Sequence, residues 1–112
     1  MKNKSENYLE RIPVRVNEIN WTEDGNGIVT LEVENKGIFN KIAQILLKKP
    51  KITYIHLDET GSYVWPLIDG NTDITGLGKL VDERFGESAY PLYERLAKFF
   101  QILDSYHFIT WK

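Results

Sequence analysis

The hydrophobic period changes part way along the chain and divides it into a strand-forming half and a helical half. From Ile12 to Ile19, apolar Ile12, Val14 and Val16 alternate with Pro13, Arg15 and Asn17, the two-residue period of a strand with one buried face. Pro13 cannot donate to a ladder, so it marks an edge or a strand start. After Thr22-Glu23-Asp24-Gly25-Asn26-Gly27, the alternation resumes as Val29, Leu31 and Val33 against Thr30, Glu32 and Glu34. The two runs predict a β-hairpin with a loop longer than two residues. Between Gly37 and Lys49 the apolar positions become Ile38, Ile42, Ile45 and Leu46, an amphipathic helix that stops before Pro50. Ile52 to Leu57 is β-branched and aromatic and predicts a third strand.

From Asp58 onward the spacing is helical. Asp58 or Thr60 caps a first helix with Gly61, Val64, Trp65 and Ile68 on one face, and Pro66 must shorten or kink it. Asp69-Gly70 ends it. Asp73 caps a second helix with Ile74, Leu77, Val81 and Phe85 inward, and Gly86 stops it. Ser88 opens a third helix with the stripe Leu92, Leu96, Phe99 and Leu103, in which Pro91 fits only the first turn. Phe108 to Trp111 predicts a short terminal strand. The expectation is an α+β fold of winged-helix type: a three-stranded antiparallel sheet followed by a three-helix bundle, with an extra helix before the third strand.

The 112 residues suit one domain spanning 1–112, with 1–11 expected to be a flexible N-terminus. Cysteine is absent, which excludes disulfides and thiolate chemistry and makes the cytoplasm the expected compartment. No apolar run reaches the ~18 residues of a membrane span, so no membrane partner is expected. The net charge of −2 disfavours a nucleic-acid partner, which calls for a basic excess on one face. Lys48, Lys49 and Lys51 form the one basic cluster and suit either a solvated helix end or a docking point for acidic groups.

Candidate chemistry is sparse. His56 and His107 lie far apart, in no ligand spacing, and neither metal nor cofactor is expected. No serine sits in a nucleophile elbow and no phosphate-binding loop is present. Gly76 and Gly78, inside a helical pattern, suit close helix packing better than a phosphate cradle. The chain therefore reads as a non-enzyme. The aromatic residues carry more: Tyr93 and Phe100, seven apart and one position off the main stripe of the third helix, line an adjacent face. That face suits either a wider core or the wall of a groove in which an extended peptide adds a strand to the sheet edge.

The run Leu57-Asp58-Glu59-Thr60-Gly61-Ser62-Tyr63-Val64-Trp65, followed by Leu67-Ile68-Asp69-Gly70, resembles the PqqD family, coenzyme PQQ synthesis protein D. The likeness continues through Asp73-Ile74, Leu80, Phe85-Gly86, Phe99, Leu103 and Phe108-Ile109, about half the chain. The resemblance implies a winged-helix peptide chaperone, a RiPP recognition element that binds the leader of a precursor peptide and delivers it to a modifying enzyme, often a radical SAM protein. It implies that Ile52, Thr53, Tyr54 and Ile55 form the pairing strand, with Tyr93, Ala97 and Phe100 as groove walls. Leu57, Val64, Trp65 and Ile68 match core positions. The chain departs from the family pattern in the added Gly37 to Lys49 segment and in Pro66 directly after the tryptophan. Two other readings are a winged-helix DNA-binding regulator and an enzyme-docking subunit with no peptide affinity of its own.

Overall fold

The computed structural model describes residues 8–34 and 52–112. The helix expected over Gly37 to Lys49 and the lysine cluster around Pro50 lie outside the described residues. Within them the order is β1 (Pro13–Arg15), β2 (Asn20–Glu23), β3 (Val29–Glu34), β4 (Ile52–His56), α1 (Glu59–Val64), α2 (Ile74–Phe85), α3 (Leu92–Ser105) and β5 (Ile109–Trp111). Among the described residues the fold is α+β, with two antiparallel sheets and three α-helices.

The strand expected over Ile12 to Ile19 is divided. Pro13–Arg15 leaves the hairpin and pairs with β5, Pro13 opposite Trp111 and Arg15 opposite Ile109. A turn at residues 17 and 18 separates it from β2, which makes the hairpin with β3. The three-stranded sheet therefore has the order β2-β3-β4, beside a two-stranded sheet of β1 and β5. Alternation alone could not reveal this, because the partner of β1 lies at the far end of the chain. Pro13, expected outward, is one of the fully buried side chains. Of the expected N-terminal segment, residues 1–7 lie outside the described residues; beyond them the Leu9 carbonyl accepts the Thr75 hydroxyl at 3.2 Å, and the Arg11 carbonyl accepts the Ile74 amide at 3.1 Å.

The helices follow their local signals. Asp58 caps α1 by accepting the Gly61 amide at 2.7 Å, and Pro66 converts the chain after Val64 into a 3-10 turn over Trp65–Leu67. Asp73 caps α2 through the Gly76 amide at 2.8 Å, and Gly86, at φ 57°, ends it. The expected start of α3 at Ser88 is a separate 3-10 turn, Gly86–Ala89. Pro91 is then the N-cap of α3 rather than part of its first turn.

The core lies between the β3 face of the larger sheet and the three helices. Trp65, Phe100, Leu31, Ile68, Ile74 and Leu77 are its largest fully buried side chains. Gly78 lets α2 approach α3: a methyl group there would stand 2.5 Å from Cε1 of Tyr93. Close helix packing thus accounts for Gly78. At Gly76 the nearest atoms are those of Thr72 and the cap Asp73.

Candidate peptide-binding site

β4 is the last strand of its sheet among the described residues. The Leu57 amide donates to the Val29 carbonyl at 2.9 Å, and Leu31 and Val33 stand opposite Ile55 and Thr53. In an antiparallel ladder the main-chain groups of successive residues point to opposite sides. The groups of Thr53, Ile55 and Leu57 are therefore turned toward β3, and those of Ile52, Tyr54 and His56 away from it.

The same alternation sorts the side chains. Thr53, Ile55 and Leu57 share the face of fully buried Val29 and Leu31, and Ile55 and Leu57 pack against the core. Ile52, Tyr54 and His56 share the outer face, where Tyr54 is 59% exposed and His56 Nδ1 meets the Thr30 hydroxyl at 2.7 Å. At the hairpin loop, the Ile28 and Asn26 amides bond the Asp24 carboxylate and hold its pKa below the usual value.

Just after β4 the wall of a groove is built by α1 and α3. A methyl group on Gly61 would stand 2.9 Å from Cε1 of Phe99, 3.0 Å from the capping Asp58 Oδ1 and 3.5 Å from Leu57 Cβ. Glycine therefore lets the Phe99 ring close against the start of α1. Between them lies a pocket of about 60 Å³ lined by Asp58, Thr60, Gly61, Val64, Ala89, Leu92, Arg95, Leu96 and Phe99. Leu92, Arg95, Phe99 and Ile102 follow one another at spacings of three, four and three and share one flank of α3. Ile102 is 47% exposed, and beyond it Tyr106 is 64% exposed and stacks on Phe108.

The seven expected site residues divide. Ile52, Thr53, Tyr54 and Ile55 all lie in β4, at the edge. Tyr93, Ala97 and Phe100 lie on the other flank of the α3 core stripe. The Tyr93 ring packs on Gly78, and its hydroxyl donates to the Thr75 carbonyl at 3.4 Å. Phe100 is fully buried, with its ring centroid 6.4 Å from that of Trp111. Ala97 is partly buried. Phe100 thus lies in the core. Leu92 and Phe99 belong by spacing to the apolar stripe of α3, and nothing in the spacing alone separates them, or Arg95 beside them, as pocket-lining residues. The available signal was Gly78: a glycine inside α2 asks for a large neighbour, and Tyr93 supplies it.

Among the described residues no group of three or more His, Asp or Glu could hold a metal ion, and no helix is long and apolar enough to cross a membrane.

The groove-forming elements fall within one recognised family. Residues 43–109 match the family model for coenzyme PQQ synthesis protein D (PqqD), which spans more than half of the chain, and the chain belongs to that family. The family is one of accessory proteins in PQQ and RiPP biosynthesis, with the RiPP recognition element as its known role. No curated protein and no solved structure gives a match.

Proposed function

We propose that this protein is a non-catalytic peptide-binding module, which holds the leader of a precursor peptide and presents it to a modifying enzyme of the radical SAM kind. The observation that carries this reading is the edge strand β4, whose main-chain groups at Tyr54 and His56 turn away from β3 and which leads through Leu57 to Asp58 in the lining of the apolar pocket between α1 and α3. A leader strand pairing there gains hydrogen bonds from the edge and places alternate side chains toward Leu92 and Phe99. Family membership supports the same reading. In winged-helix terms, β2 and β3 are the wing and α1 to α3 the helical body.

Proline substitution separates strand addition from other modes of binding. The Tyr54 amide points away from β3, so Tyr54→Pro removes a donor that only an added strand would use. The Ile55 amide points toward β3, so Ile55→Pro breaks the sheet itself. The probe is the synthetic leader of the short reading frame nearest the gene, titrated into labelled protein and followed by amide chemical shifts. The expected result is that Tyr54→Pro stays folded and loses binding. Unchanged binding by folded Tyr54→Pro would refute strand addition at this edge.

A further inference from the structure

The groove also carries information about the peptide. Its pocket, about 60 Å³, has the apolar walls Val64, Leu92, Leu96 and Phe99. At about 10–15 Å³ for each water-sized group, it holds roughly four to six heavy atoms, enough for a leucine side chain. At its rim stands Arg95. One terminal nitrogen of its guanidinium donates to the Ser88 carbonyl at 3.0 Å, which ties the head group to the turn before α3, and its side chain makes no other hydrogen bond among the described residues. The other charge at the rim, Asp58, is already committed to capping α1.

The neighbouring charges on α3 fall in a consistent pattern. Lys98, exposed and one turn on from Arg95, adds to the positive flank, with Glu94 a further step round the helix. Asp104 lies toward the opposite side, close enough to Tyr8 to help raise the pKa of that phenol. The four charges of this helix sum to zero in the sequence, and among the described residues Arg95 makes no ion pair, although the Asp58 carboxylate also lines the pocket.

Resting on the peptide-binding reading above, we infer that the bound peptide carries an aliphatic side chain of leucine size for the pocket and, two positions away on the same face, an acidic side chain for Arg95. The spacing follows from the two-residue period of an extended strand. A guanidinium held by a carbonyl is a planar donor suited to a carboxylate.

The test uses eight-residue threonine–valine peptides bearing one leucine and, two positions on, glutamate, glutamine or lysine, titrated into labelled protein at low salt. The glutamate peptide is expected to shift the amides of Ile55, Leu92, Arg95 and Phe99 and to bind about two- to five-fold more tightly than the glutamine peptide, as befits an exposed ion pair. Arg95→Gln, at an exposed position, should keep the fold and abolish that difference, and Arg95→Glu should reverse the order in favour of lysine. Equal affinity for the glutamate and glutamine peptides, with shifts still on β4 and α3, would overturn the acidic preference and leave the groove standing. Silence on β4 and α3 with all three peptides would overturn the groove and this inference together.

Discussion

The Ser62 hydroxyl accepts the main-chain N–H of Val29 at 2.8 Å, and it donates in turn to the Leu57 carbonyl at 3.2 Å. The last pair of the β3–β4 ladder is therefore half direct, through Leu57 N–H to Val29, and half relayed through a side chain of α1. This relay fixes the helix that forms one side of the pocket to the strand that forms its edge. Ser62 is 3% exposed, so water cannot readily replace it.

Ser62→Ala leaves a buried donor and a buried acceptor without their bridge. The expected cost is about 1–3 kcal/mol of folding stability, read as a lower urea midpoint at unchanged m-value. The amide of Val29 should lose exchange protection before those of α2.

Phe99 and Phe100 are adjacent in sequence, and their rings meet edge to face at 5.3 Å, yet they should behave oppositely. Phe100→Ala empties a fully buried site and should cost about 3–5 kcal/mol. Phe99→Ala, at a partly buried position, should cost about 1–2 kcal/mol while removing the pocket wall and weakening leader binding. Thermal melts and the leader titration, run on both variants, separate the two roles.

Gly78→Ala places a methyl group against the Tyr93 ring and should destabilise by about 1–3 kcal/mol through overpacking. Without that ring, alanine is the better helix former by about 1 kcal/mol. In a Tyr93→Ala background the same substitution should therefore turn stabilising. A double-mutant cycle measured by urea unfolding reads this change of sign directly.

Burial pushes the Tyr8 phenol up to about 12, with Asp104 adding to the shift and Arg11 opposing it. The folded chain keeps this proton at a pH where the unfolded chain, near 10.0, has lost it. The resulting stability is full below pH 10 and is lost as the pH rises toward 12. Ultraviolet titration should show a late phase for the Tyr8 phenol, and Tyr8→Phe should remove both that phase and its share of the alkaline loss.

What could be read from the sequence follows from the range of each interaction. Asp73 and Gly86 delimit α2 because cap and stop act within a few residues, and both stand where their chemistry put them. Pro66 likewise shortened α1. The partition of the strands was hidden because Pro13–Arg15 alternates as well as a hairpin strand does, and only its pairing with β5 tells them apart. On α3 the apolar positions were legible, but the neighbour each one meets was not. The flank of Tyr93 and the flank of Phe99 are equally aromatic, and it takes Gly78 on one helix and Gly61 on another to decide which flank is packed and which borders the pocket.

The pairing of β1 with β5 brings the Lys112 amide to the Ile12 carbonyl at 2.9 Å, so two three-residue strands close a ring of nearly the whole chain. So short a ladder has little stability of its own, and its loop-closure entropy is the largest in the fold. What holds it is the packing around it, with Pro13 buried and the Arg11 guanidinium 4.1 Å from the Trp111 ring. Solvent deuterium should then reach Val14 and Thr110 through a single shared opening, at matching rates and ahead of Leu31. The clasp behaves as one latch, and whatever loosens either strand loosens both.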